Sequence, residues 1–300
     1  MRQSGHAFTM GPFVGWRRAA RGLLAAGMIA AFPGPLRAQR GGPTPATARA
    51  GAPIDLTGYW VSIVTEDWRY RMLLPAKGDY ASVPLNQAAR RVADAWDPAK
   101  DEAAGDQCKG YGVANIMRVP GRLHITWQDE NTLKIETDAG TQTRLLHFGD
   151  ASPPPDRDGT WQGYSAARWE VAGPQRGAGG GGGGGARGVV TINGVPQTAT
   201  GPDADAGRGR GSPAARGGSL NVVTTHMRAG YLRKNGVPYS EKAVVTEYFD
   251  RHVEPKGDEW FTVTTIVEDP KYLDQPFITS TDFRKEPDGA KWRPTACTAR

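Results

Sequence analysis

The 300-residue chain is sparing with residues that could do chemistry, and none of them falls into a nucleophile or metal motif. Gly-X-Ser-X-Gly, His-Glu-X-X-His and Cys-X-X-Cys are all missing. Of the five histidines, His6 lies near the amino end, while His124, His147 and His226 fall in runs that alternate like strands. If the strands close into a barrel, these three could meet in one cavity. With Glu247 or Asp250 they would then offer imidazole and carboxylate ligands to a transition metal. A strand histidine among Thr and Gln more often faces solvent or a hydrogen-bond partner. The expectation is therefore no cofactor, with a metal held by His124, His147 and His226 as the alternative.

A second cluster is Glu66-Asp67-Trp68-Arg69-Tyr70-Arg71, where charge and aromatic surface follow directly on an apolar run. Arginine presents a planar fork and tryptophan a stacking face, so the segment could clamp an anionic or aromatic ligand. The plainer reading is a strand end with surface ion pairs. Trp68 and Arg69, with Trp127, His226 and Tyr248, make up the candidate ligand-binding set. A cavity of about 300 Å³ or more is expected beside them.

These residues need elements to hold them. Trp60 to Leu74 is rich in β-branched and aromatic residues and predicts one or two strands. Asn86 to Trp96 predicts the one good helix, with Asn86 as cap, one face at 88, 89, 92, 93 and 96, and Asp97-Pro98 as its stop. Strands are expected at 116–119, 122–128, 132–137, 141–148 and 163–171, the first four as a meander with tight turns. Further strands are expected at 219–228, 231–234, 243–250, 260–268 and 277–284, with turns at Asn235-Gly236 and Pro255-Lys256-Gly257. Residues 173–218, with seven consecutive glycines at 179–185, read as a disordered insertion, in which only Val189–Val195 has strand potential. The sum is one mainly β domain over 54–298, an antiparallel barrel or a barrel-like sandwich of two packed sheets.

The amino end reads as an address. Arg17, Arg18 and Arg21 precede an apolar run to Phe32, then a Pro-Gly-Pro break and a small-residue cleavage site at Ala38. The run has about 11 residues, against about 20 for a spanning helix, so no integral membrane anchor is expected. Residues 1–38 are thus a signal peptide, residues 39–53 a flexible leader, and the mature chain periplasmic or secreted. The Arg17-Arg18 pair leaves both the twin-arginine and the general secretory route open. Five arginines lie within those 38 residues, leaving 32 basic against 31 acidic side chains beyond them. That near balance gives nucleic-acid binding no support. In an oxidising compartment Cys108 and Cys297 are expected to pair.

Three stretches, Asp55–Arg69, Ala99–Gly105 and Arg118–Gln128, together with Tyr231–Tyr239 and Trp292–Cys297, resemble an uncharacterised family of exported bacterial β-rich proteins. The resemblance implies export and a β fold and brings no catalytic residues. Gly58-Tyr59-Trp60 is also similar to the Gly-X-Trp that opens lipocalin-like barrels, where the Trp closes the narrow end under an arginine, here Arg284 or Arg293. The leading functional reading is an exported barrel that binds a small, partly apolar ligand. The alternatives are a periplasmic hydrolase or lyase with a His/carboxylate or metal site, and a structural or partner-binding envelope protein.

Overall fold

Leu123, Ile125, Leu133, Ile135 and Leu146 alternate with polar residues, a period of two that turns every second side chain to one face of a strand. In the computed structural model, which describes residues 47–149, 152–153, 159–171, 189–192, 195–198 and 218–300, that face is the inside of a barrel. The strands are β1 (Gly58–Ile63), β2 (Arg122–Asp129), β3 (Thr132–Thr137), β4 (Thr143–Phe148), β5 (Tyr164–Val171), β6 (Val189–Ile192), β7 (Val195–Thr198), β8 (Gly218–Thr225), β9 (Gly230–Arg233), β10 (Val237–Tyr239), β11 (Val244–Val253), β12 (Glu259–Glu268) and β13 (Phe277–Glu286). Nine of them close in the order β1-β13-β12-β11-β8-β5-β4-β3-β2. Closure leaves those strands no free edge, and it decides between the barrel and the packed sheets in favour of the barrel.

One join departs from the antiparallel plan. β4 and β5 pair in parallel, Leu146 opposite Ser165 and Phe148 opposite Ala167. Parallel neighbours cannot be joined by a tight turn, so the expected meander ends at β4. β6 and β7 form a separate antiparallel pair. The rest of the glycine-rich insertion lies outside the described residues, as do residues 1–46, including Arg17, Arg18 and Ala38.

One end of the barrel is packed with aromatic rings. Trp60 lies edge-on to Phe261 at 4.7 Å, and Phe261 stacks on Phe283 at 4.9 Å. The Trp60 indole donates to Leu56 O at 2.8 Å, while Lys285 Nζ and the Arg284 guanidinium lie 5.4 and 5.9 Å from its ring. Residues 47–53, expected to be part of a flexible leader, rest against this end. Trp169 donates its indole N–H to Ala48 O at 2.7 Å, and Arg49 N–H binds Glu130 O. A half-buried indole takes a polar partner where it finds one.

The other end is capped by α1 (Trp68–Arg71), α2 (Gln87–Asp94), α3 (Pro98–Ala103), a 3-10 turn at Gln107–Tyr111, α4 (Val113–Ile116) and the β9–β10 hairpin. Asn86 caps α2 as expected, its side chain accepting from Ala89 N–H at 3.0 Å. Asp97 and Pro98, expected only to stop that helix, also start α3. Two expected strands do not form. After β1, Asp67 takes a left-handed backbone (φ 50°) and turns the chain into α1, so the second strand before Leu74 does not form. In the run at 116–119, Ile116 ends α4, all four residues of which are buried, and 117–119 form the turn that follows. Short apolar runs do not distinguish helix from strand by period. Val113 and Ala114 join the cap's core with Leu232, Val237 and Phe277, whereas Ile116 and Met117 reach the barrel's core.

Between the two cores lies a polar layer. Arg144 of β4 and Glu247 of β11, both wholly buried, face each other in a two-pronged pair, with Nη1 to Oε1 at 3.1 Å. Ser165 and Thr224 share a hydrogen bond beside them. Cys108 and Cys297 form a disulfide with Cα atoms 5.1 Å apart, tying the carboxyl end to the 3-10 turn of the cap.

Candidate functional site

Three chain segments bring four cations to the seam between cap and barrel. α1 delivers Arg71, the turn after α4 delivers Arg118, and the end of β9 delivers Arg233, with Lys234 at the hairpin turn. Local chemistry fixes each one. The left-handed Asp67 lets Tyr70 and Arg71 N–H reach its carbonyl, closing the single turn of α1. Such a backbone costs about 1–3 kcal/mol in a non-glycine residue, and the Asp67 carboxylate offsets it by accepting from Arg118 Nη2 at 2.9 Å. The Asn235-Gly236 turn, with Gly236 at φ 83°, reverses the chain immediately after Lys234 and leaves Arg233 buried under the cap.

Arg71 is fully employed. Nε donates to Arg118 O at 3.0 Å, Nη1 to Glu66 at 3.1 Å and Nη2 to Ser62 Oγ at 2.8 Å. The other two are not. Arg118, 4 % exposed, has a buried Nη1 with no partner. Arg233, 2 % exposed, donates from Nη1 to Ala81 O at 2.7 Å but leaves Nε and Nη2 buried and unpartnered. Among the described residues Arg233 forms no ion pair. Its guanidinium lies 4.1 Å from the Tyr70 ring and 5.9 Å from Phe277, with Arg118 5.7 Å from Phe277. Such stacking holds the forks in place without using their in-plane donors.

The electrostatics are those of an excess positive charge. Burial lowers the Arg71 and Arg233 proton affinities, and the Arg118 charge lowers both further. Glu66 and Asp67 are the carboxylates in ion-pair contact with the three. Glu66 is itself pushed up, chiefly by burial. Lys234 Nζ is engaged with the Tyr111 hydroxyl and Thr298 Oγ1, both at 2.9 Å. Burial pushes Tyr111 up, but those hydrogen bonds outweigh it and the phenol ends below its ordinary value.

Tyr70, Arg71, Arg118, Arg233 and Lys234 line a cavity of about 40 Å³ together with Leu74, Pro75, Asn115, Val119 and Pro120. One water needs about 10–15 Å³ on this scale, so the cavity has room for a carboxylate or a single oxyanion and not for a whole ligand. An apolar body attached to that anion would lie outside, over Leu74, Pro75, Val119 and Pro120.

The five residues singled out from sequence are not brought together. Trp68 (61 % exposed) and Arg69 stand on α1 next to the arginine cavity, Arg69 paired with Asp79 at 2.9 Å. Trp127 lies at the aromatic end, bordering an open cleft of about 390 Å³ with Arg49, Asp55 and Arg251. Tyr248 is on β11 between the inward-facing Glu247 and Phe249, and so points outward. His226 is past the end of β8, exposed in a left-handed turn (φ 56°) rather than within a strand.

The histidines do not share a cavity either. His124 is on the outer face of β2, stacked on Tyr59 at 4.2 Å and 3.3 Å from Glu136. His147 is on the outer face of β4, stacked on Tyr164 beside a cleft of about 310 Å³. Alternation puts Leu123, Ile125 and Leu146 inside and therefore these rings outside. Glu247, offered as a metal partner, is held by Arg144. Among the described residues no group of three His, Cys, Asp or Glu side chains could hold a metal ion.

Sequence reasoning found the Glu66–Arg71 segment but chose Arg69, whereas the buried arginine is Arg71. Arg118 and Arg233 were missed. The one local signal for each is an arginine inside an apolar run directly before a tight turn, Val-Pro-Gly and Lys-Asn-Gly. No family model, curated protein or solved structure matches the chain.

Proposed function

We propose that this chain binds a small organic anion, its carboxylate or phosphate entering the cavity of Arg118 and Arg233 while an apolar body lies over Leu74 and Val119. The observation that carries this reading is the pair of buried guanidiniums with unpartnered N–H groups on one cavity. A buried donor left unmade costs about 1–3 kcal/mol, and an oxyanion would satisfy several at once. This keeps the expectation of a partly apolar ligand but moves the site from the barrel interior, which side chains occupy, to the seam under the cap. The Cys108–Cys297 disulfide supports an oxidising, extracytoplasmic compartment as the place of action.

Titration calorimetry with octanoate and octyl phosphate tests it. Both should bind, octanol should not, and Arg233→Gln or Arg118→Gln should weaken binding by about tenfold or more, the loss of one charge-assisted hydrogen bond. Equal affinity in wild type and variants, or no binding of either anion, would overturn the reading.

A further inference from the structure

The chain that leaves the arginine cavity carries the largest cluster of exposed apolar side chains in the described residues. Trp68, Met72, Leu73 and Leu74 are 61, 60, 58 and 50 % exposed, all within seven consecutive positions, and Leu74 also lines the cavity. Of the other three large apolar residues so exposed, Val92 is on α2, Val253 at the end of β11 and Ile278 on β13, each alone. Single exposed apolar residues need no explanation; a contiguous group that includes a tryptophan does.

The group is not a defect of packing. α1 is one turn long, and the Asp67 turn, the Arg71 hydrogen bonds and the Arg118–Asp67 pair fix it in place. Arg71 points inward to do this, while Trp68 at the start of the same turn stays 61 % exposed. The segment is therefore held firmly with its apolar side chains outward, next to a cavity lined by two arginines that keep unpartnered donors.

From this juxtaposition we infer that the α1 tip docks on an anionic phospholipid bilayer, with Trp68, Met72, Leu73 and Leu74 entering the interface and the Arg118–Arg233 cavity taking a lipid phosphate. The inference rests on the anion site proposed above and specifies its ligand as a membrane lipid. Tryptophan prefers the depth of the headgroups, where its ring is apolar and its N–H stays wet. Apolar insertion and attraction to anionic headgroups add in such surface-bound contacts. Charge complementarity chooses a bilayer over a second copy of the chain, because docking two copies through this face would set the two arginine cavities close to each other.

Co-sedimentation with vesicles tests the inference, using the full mature chain. Binding should be at least about tenfold stronger to vesicles of phosphatidylcholine mixed with phosphatidylglycerol than to phosphatidylcholine alone. Leu73→Glu and Trp68→Ser, both at exposed positions, should each reduce it about tenfold or more without altering octyl phosphate binding in proportion. Arg233→Gln should lower vesicle and octyl phosphate binding together. Retained octyl phosphate binding with no vesicle binding would overturn the membrane inference and leave the anion site standing. Loss of both in the wild type would overturn the anion site itself. Vesicle binding indifferent to Arg233, or self-association of the free chain that Leu73→Glu abolishes, would also sink the inference.

Discussion

Among the described residues two places bury arginine, and they solve the problem in opposite ways. In the barrel, Arg144 meets Glu247 in a two-pronged contact, and neither side chain is exposed. Under the cap, Arg118 has half a partner in Asp67, and Arg233 has a carbonyl and two rings but no carboxylate in contact. The first arrangement is complete in charge within the fold. The second is complete only when something anionic arrives. The difference separates a structural pair from a candidate binding site more sharply than the amount of burial does, since both are buried. Leaving Arg144 as unpaired as Arg233 should have the largest effect. Glu247→Gln keeps the shape and removes the charge, and should destabilise the chain by about 3–5 kcal/mol in chemical denaturation, because the remaining guanidinium has no route to water. Arg144→Met combined with Glu247→Leu should recover most of that loss. A Glu247→Gln chain as stable as wild type would mean that the pair contributes nothing.

How much of this was legible beforehand differs between the two ends. The barrel strands announce themselves, since Leu123–Gln128 and Thr132–Thr137 alternate cleanly and the turn at Pro255–Gly257 between β11 and β12 uses residues that suit a tight or left-handed backbone. The disulfide follows from two cysteines and an exported reading. The cap end is obscure for a physical reason: its short helices have neither the length nor the period to show one face. Trp68-Arg-Tyr-Arg71 and Val113-Ala-Asn-Ile116 look like strand residues and become helical under tertiary packing and the turn at Asp67. The site was half visible. A charged aromatic segment at 66–71 can be seen in the sequence, but which of its arginines turns inward depends on Ser62 and on the Arg118 carbonyl 47 positions away. The same limit hid the Arg144–Glu247 pair, whose members are 103 positions apart.

The disulfide ties down the cap end of the molecule. Cys108 is in the 3-10 turn that carries Tyr111, and Tyr111 holds Lys234 beside the arginine cavity. Cys108→Ser with Cys297→Ser should cost about 2–4 kcal/mol. Hydrogen exchange should quicken at residues 107–118 and 231–239, with β2 to β4 protected as before. Uniform loss of protection over both regions would show that cap and barrel open as one unit, and the distinction between the two ends would then be only geometric.

Proton uptake gives the smallest and most specific effect. Glu66 stands beside Arg71, with Thr65, Asp282 and Arg118 as its other near partners. Burial raises its proton affinity, the Asp282 charge adds to this, and the Thr65 hydrogen bond and the two arginines only partly offset it. A carboxyl raised in the folded chain takes up its proton there before it would in the unfolded one. Its contribution to stability is thus present at low pH and lost as pH rises through the folded value. For the site the sign runs the same way. As pH falls from neutral through that raised value, a negative charge next to Arg71 disappears and the net positive charge of the cavity grows. Octyl sulfate, which stays ionised throughout, should therefore bind about two- to fivefold more tightly at the acid end, the scale of a partly exposed charge pair. Glu66→Gln should flatten the profile at the tighter limit. The Arg144–Glu247 pair predicts no such profile, because neither member touches the cavity. A flat wild-type profile would detach Glu66 from the site, and an inverted one would mean that the carboxylate helps to hold the anion rather than opposing it.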